Sequence, residues 1–136
     1  MGMVKKPKYG HGEAFRYMEN ARELLRSASI EDNIYIDKKP VREAFGTAYF
    51  AVLEAINEVL IEKKGVTSKE LPKSVDGYRA VLQKHFAVNN GRLMRDFESL
   101  YETLHIAGYY RGLIRRGTMV KDAMKDTDAF IKKLLN

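Results

Sequence analysis

The side chains with the greatest chemical capability in this sequence lie together in the stretch Leu104-His-Ile-Ala-Gly-Tyr-Tyr-Arg111. His105 changes charge near neutral pH, so it could serve as a general acid–base or as a hydrogen-bond donor to phosphate. On a helix, Tyr101 and Tyr109 lie four residues before and after it and share its face. The alternative, which the pattern favours, is a histidine at the edge of the core.

Two aromatic residues, Tyr109 and Tyr110, directly precede Arg111. Such aromatics could stack a nucleobase while a neighbouring guanidinium binds phosphate. More commonly, a tyrosine pair of this kind closes one end of a hydrophobic core. Both interpretations remain open at this point.

A basic loop follows these tyrosines. Arg111, Arg115, Arg116 and Lys121 fall within eleven residues that contain no acidic residue. A helix is predicted to begin at Thr118, and the free N–H groups of a helix N-terminus attract anions. The loop is therefore a candidate phosphate or carboxylate site, although a solvated loop is the more common outcome for such a run of charge.

The elements that would position these residues are helices joined by short loops. Apolar residues recur at helical spacing, and little in the sequence indicates β-structure. Asp37, Ser74 and Gly65 are suitable helix caps or stops. The predicted helices are Glu13–Ala28, Pro40–Lys64, Val75–Phe86, Arg92 to Ala107 or a little beyond, and Thr118–Leu135, with a polar loop over Ile30–Lys39. We therefore predict an all-α, antiparallel four-to-five-helix bundle in one domain over residues 12–136, preceded by a flexible tail at 1–11.

Composition excludes several classes of function. The chain of 136 residues has no cysteine, which removes thiolate chemistry and disulfides. Its histidines lack metal-ligand spacing, and phosphate-loop and nucleophile-elbow motifs are absent, so we expect no metal and no cofactor. We also expect no membrane-spanning run and a cytoplasmic location. The net charge of +6 permits salt-sensitive attraction to nucleic acid.

Two helices resemble a known family. Glu43-Ala-Phe-Gly-Thr-Ala-Tyr-Phe-Ala-Val-Leu-Glu-Ala-Ile-Asn57 resembles the long Tyr-bearing helix of HEPN domains (higher eukaryotes and prokaryotes nucleotide-binding). It is also similar to a smaller, uncharacterised bacterial branch, with Thr-Ala-Tyr at 47–49 and Leu-His-x-x-Gly-Tyr-Tyr at 104–110. The resemblance implies a helical bundle that dimerises and, in many members, a ribonuclease or toxin–antitoxin component.

The ribonuclease motif of that family, Arg-x(4–6)-His, is not intact in this chain. The required positions before His105 hold Glu98, Ser99 and Leu100. The nearest preceding arginine is Arg95, about 15 Å along a helix axis and roughly 80° around it. His105 therefore remains only a weak catalytic candidate, and we expect that the protein is not an enzyme.

Helix order and the resemblance together predict a single ligand-binding region. Its members are aromatic or basic, and they are Tyr35, Arg42, Tyr49, His105, Tyr109, Tyr110, Arg111, Arg115 and Arg116. Arg42 lies near the start of the second predicted helix, where the helix dipole makes a positive charge unfavourable. It is therefore either functional or paired with Asp37 or Glu43. Three functions fit this region: a homodimeric or protein-partner interaction module, such as a toxin–antitoxin-like partner; a nucleotide- or RNA-binding module; and a diverged ribonuclease that uses His105.

Overall fold

The computed structural model describes residues 12–86 and 91–136, so the predicted tail at 1–11 lies outside the described residues. The elements, in chain order, are α1 (Glu13–Arg26), β1 (Ile30–Glu31), β2 (Ile34–Tyr35), α2 (Lys38–Lys63), a short 3-10 helix (Ser68–Glu70), α3 (Val75–Phe86), α4 (Arg92–Leu100), a π-helix (Tyr101–Tyr110) and α5 (Gly117–Leu135). The all-α prediction is thus confirmed except for one small hairpin.

Helix α2 is the central element. It packs against α1, the π-helix and α5, and its buried residues include Phe45, Ala48, Val52 and Ile56. Contrary to the sequence-based expectation, α2 is long and apolar enough to span a membrane, with a mean hydropathy of 1.4 over its most apolar window. However, 72% of that window is buried inside the fold, as is typical of the core helix of a soluble protein.

The ends of α2 and α3 follow the capping signals in the sequence. The Asp37 carboxylate accepts a hydrogen bond from the backbone N–H of Lys39 at 3.0 Å, which satisfies a free donor in the first turn of α2. Gly65, just beyond the end of α2, has a φ of 71°. The Ser74 hydroxyl accepts from the N–H of Gly77 at 3.0 Å and caps α3.

The predicted polar loop over Ile30–Lys39 is wrong in part, because it contains the β1–β2 hairpin. Asp32 and Asn33 form its turn with φ values of 49° and 65°, which is the backbone shape of a tight hairpin turn. The basic loop adds to the sheet through a bridge between Ile34 and Arg116. The hairpin therefore fixes the start of α5.

The predicted fourth helix changes its hydrogen-bonding pattern partway along. After Leu100 the chain continues as a π-helix through Tyr110, and the N–H of Arg111 donates to the carbonyl of Ile106, five residues earlier, at 2.8 Å. π-Helices are rare, and the short π-helical turns that interrupt α-helices occur frequently at functional sites. The helical segment thus ends at Tyr110, a little beyond Ala107 as predicted, but its second half is a π-helix rather than an α-helix.

The π-helix and α2 approach each other through two glycines. A Cβ atom on Gly108 would lie 2.4 Å from Cγ of Phe45, and a Cβ atom on Gly46 would lie 2.7 Å from Cδ1 of Tyr109. Each helix therefore places an aromatic ring over a glycine of the other. This reciprocal contact aligns the π-helix with α2.

Candidate functional site

Three rings form a ladder along one face of the π-helix. The ring centroids of Tyr101 and His105 are 5.5 Å apart, and those of His105 and Tyr109 are 6.0 Å apart, with interplanar angles of 27° and 17°. Tyr49 of α2 packs beside the middle ring, with its centroid 4.8 Å from that of His105. The structure therefore brings together four aromatic side chains from the two helices.

Tyr49 is the most buried member of this cluster, with 8% of its surface exposed. Burial is the main reason that the pKa of Tyr49 is raised to about 12, and the neighbouring Tyr101 acts in the same direction. The phenol therefore stays protonated at neutral pH. It is suited to packing and hydrogen bonding rather than to nucleophilic attack.

The carboxylate of Glu98, on the same helical stripe as His105 by sequence, is held by α3. Arg79 donates from Nε and Nη2 to its two oxygens at 2.6 and 2.9 Å. This bidentate contact holds the pKa of Glu98 below its usual value. The Arg79 guanidinium also lies 5.2 Å from the ring centroid of Tyr101. Glu98 therefore positions the Arg79 guanidinium, which contacts the Tyr101 end of the ladder.

Arg42 has a structural role at the other end of the ladder. Its Nε donates to the carbonyl oxygen of Tyr109 and its Nη2 to that of Tyr110, both at 2.8 Å. The interpretation that paired Arg42 with Asp37 or Glu43 is therefore wrong. Arg42 instead satisfies carbonyls at the end of the π-helix, where a cation is also favoured by the helix dipole.

The remaining candidates lie around the hairpin, except for Arg111 at the end of the π-helix. Arg115 donates from Nε to the carbonyl of Tyr35 at 3.1 Å and from Nη2 to that of Ile36 at 2.9 Å. Arg116 is exposed at the start of α5, and Arg111 is exposed at the end of the π-helix. The predicted region thus divides: Arg42, Tyr49, His105, Tyr109 and Tyr110 meet at the ladder, whereas Tyr35, Arg115 and Arg116 belong to the hairpin side.

Adjoining clefts run along the junction of α2 and the π-helix, which we call the seam. A cleft of about 610 Å³ lies beside Lys38, Lys39 and Tyr110, and a second of about 420 Å³ beside Gly46, Thr47 and Phe50. Glu43 and Tyr109 line both of them. A third, of about 330 Å³, shares Tyr49 and His105 with the second. The aromatic rings therefore separate neighbouring depressions of one elongated surface.

The sequence analysis missed an important part of this surface. Phe50 is 57% exposed although it lies on the most apolar helix, and its ring centroid is 6.3 Å from that of Tyr17 on α1. The breadth of the apolar stripe on α2 was the signal that could have predicted this exposure. When an apolar stripe is too wide for the neighbouring helices to cover, one edge of it stays in solvent. Within residues 12–86 and 91–136, no cluster of side chains suited to hold a metal is present.

The fold and the seam define a small, mostly helical bundle domain with an aromatic surface. Residues 10–136 match the family described as a domain of unknown function, DUF5618, and the chain belongs to that family. A solved structure of a protein of unknown function from Dyadobacter fermentans is 32% identical, with a TM-score of 0.70 over 90% of each chain. No curated protein matches the sequence.

Proposed function

We propose that this protein is a cytoplasmic, non-enzymatic interaction module that forms a homodimer through the seam. The observation that carries the proposal is the alternation of protruding rings and adjoining clefts along one surface. Phe50 is 57% exposed, Tyr109 44% and Tyr110 70%. Exposed apolar groups grouped in this way mark interaction surfaces, and aromatic residues are enriched where proteins bind each other.

The shape of the seam suits a second copy of the same chain. In a two-fold dimer, the same patch of both subunits meets, so one surface must offer both protrusions and depressions. Here the ring of Phe50 stands beside a cleft of about 420 Å³, and Tyr110 stands beside one of about 610 Å³. Each copy thus offers rings for the clefts of the other.

The charges at the seam are also self-complementary. The end of the surface at the start of α2 carries Lys38 and Lys39, whereas Asp37 and Glu43 lie within the same cleft. A two-fold axis close to this cleft would bring its two copies together and set the lysines of one against the carboxylates of the other. Such pairs contribute more to register and specificity than to affinity.

The resemblance of α2 and the Leu104–Tyr110 stretch to HEPN domains supports the same proposal, because those bundles often dimerise. It also suggests the setting, a toxin–antitoxin-like partner. Catalysis is a weaker alternative. Rings of Tyr49, Tyr101 and Tyr109 pack around His105, and the nearby Arg42 guanidinium already binds backbone carbonyls.

Sedimentation velocity across a concentration series tests the dimer. We expect the natural protein to sediment as a dimer and Phe50→Glu to sediment as a monomer, because a buried aromatic at the centre of an interface is typically worth about 2 kcal/mol or more. Met119→Glu is the matched control, since Met119 is 52% exposed but lies on α5, away from the seam. Far-UV circular dichroism verifies the fold of both variants. A monomeric natural protein, or a Phe50→Glu variant that remains dimeric, would contradict the proposal.

RNA binding is the second candidate, and one observation favours it. Tyr110, the more exposed tyrosine, shares a cleft with Lys38 and Lys39, so a base could stack while the lysines contact phosphate. Fluorescence anisotropy of a labelled single-stranded RNA would then show salt-sensitive binding that Lys38→Gln with Lys39→Gln weakens. That result together with a monomeric protein would replace the dimer proposal with an RNA-binding one.

A further inference from the structure

A further depression lies away from the seam and shares no lining residue with the three clefts there. It has a volume of about 600 Å³ and is lined by α1, the hairpin and the first half of α5; we call it the α1–α5 groove. Volumes of this size are typical of clefts that bind small molecules. No residue of the aromatic ladder lines it. Its occupant is therefore a question separate from the proposed dimer.

The floor of the α1–α5 groove is apolar. Leu25 of α1 and Val120 and Met124 of α5 contribute to it, together with the cross-strand pair of Ile30 and Tyr35. Ile30 remains 47% exposed. Covering such a floor with an apolar group would be favourable, because each Å² of apolar surface removed from water contributes about 25 cal/mol.

The rim of the groove is positively charged, but its two sides differ. On α1, Arg22 forms an ion pair with Asp128, and Arg26 pairs with Glu19 and Glu23. These arginines are therefore largely neutralised where they lie.

On α5, Lys121 and Lys125 line the groove one helical turn apart, and both are exposed. Within the described residues neither lysine has an ion-pair partner, unlike the arginines across the groove. The first turn of α5 contains no acidic residue. The groove thus has an excess of positive charge, carried by Lys121 and Lys125, next to its apolar floor.

We propose that the α1–α5 groove binds a small organic anion, a carboxylate that carries an apolar body. The carboxylate lies between Lys121 and Lys125, where charge-assisted hydrogen bonds are available. The apolar body covers Leu25, Ile30 and Tyr35, the members of the floor that keep exposed surface. A cation of the same shape is excluded by the lysines, and a small hydrophilic anion leaves the floor exposed to water.

Two probes of similar apolar length and opposite charge test this site. Decanoate and decyltrimethylammonium are each titrated, below their micelle concentrations, into the isotope-labelled full-length protein. Backbone amide shifts report the binding. We expect decanoate to shift the amides of Thr118, Val120 and Met124 in a saturable manner, and decyltrimethylammonium to leave them in place.

The contribution of charge is isolated by a matched pair of double variants on α5. Lys121→Gln with Lys125→Gln is expected to weaken decanoate binding at least about tenfold, since hydrogen bonds to charged groups are among the stronger ones. Lys132→Gln with Lys133→Gln removes the same charge near the end of the helix and is expected to leave the affinity unchanged. The proposal is overturned by an absence of decanoate shifts at the groove, by equal binding of the cationic probe, or by equal weakening in both double variants.

Discussion

The contact between Gly108 and Phe45 makes a quantitative prediction about stability. In Gly108→Ala, the new methyl group would lie 2.4 Å from Cγ and 2.5 Å from Cδ1 of Phe45, well inside van der Waals contact. Phe45 has no exposed surface, so its ring cannot move aside without disturbing the core. Overpacking of this kind costs about 1–3 kcal/mol, and the higher helix propensity of alanine returns no more than about 1 kcal/mol.

Gly46→Ala is the matched control, because it adds the same methyl group on the other side of the same contact. There the new atom would lie 2.7 Å from Cδ1 of Tyr109. Tyr109 is 44% exposed, so its ring can turn outward into solvent. We therefore expect Gly46→Ala to change the free energy of unfolding by less than about 1 kcal/mol and Gly108→Ala to lower it by about 1–2 kcal/mol.

Urea unfolding followed by circular dichroism measures both variants. The transitions are recorded at several protein concentrations, because dimerisation adds stability that depends on concentration. The slope against urea is expected to remain unchanged, so that a shifted midpoint reports stability alone. A Gly108→Ala variant as stable as the natural protein, or a Gly46→Ala variant that loses as much, would refute the reasoning.

Two further predictions concern Tyr49 and Arg115. Burial raises the pKa of Tyr49 from 10.0 to about 12, so its neutral form stabilises the fold below pH 10 and this contribution is lost as the pH rises through 12. In urea unfolding, the Tyr49→Phe variant should therefore lose less stability over that range than the natural protein. An equal loss in both proteins would count against the assignment. Arg115→Ala removes two hydrogen bonds to carbonyls of Tyr35 and Ile36, which should cost about 1 kcal/mol and accelerate amide hydrogen exchange at Tyr35; Arg116→Ala is the control and should leave that exchange unchanged.

Local signals in the sequence were sufficient for much of the helical architecture. Asp37 and Ser74 cap helices through their side chains, and Gly65 ends one through a positive φ. Each effect involves residues only a few positions away, so the limits of α2 and α3 could be predicted closely. The hairpin was missed because its strands have two residues each. Its turn also uses Asp32-Asn33 rather than the stronger Asn-Gly signal.

The roles of Arg42 and Arg115 depend on contacts between distant parts of the chain. Each binds backbone carbonyls, 67 and 68 positions away for Arg42 and 80 and 79 positions away for Arg115. A carbonyl carries no residue-specific signature, so no pattern in the sequence identifies such a partner. Both arginines consequently resembled ligand-binding residues. The approach of Tyr49 to His105, in contrast, followed from helix order and the resemblance.

The π-helix constrains the number of residues in the segment Tyr101–Tyr110 more than it constrains their identity. Each residue of an ordinary α-helix advances the chain by 100° around the axis. A π-helix, whose hydrogen bonds run to the fifth residue rather than the fourth, turns somewhat less per residue. Deleting a single residue within this segment would therefore rotate everything after the deletion by roughly a quarter of a turn. Gly108 would then turn away from Phe45, and the carbonyls that Arg42 binds would point elsewhere. Relatives that keep the seam are thus expected to tolerate substitutions here more readily than insertions or deletions.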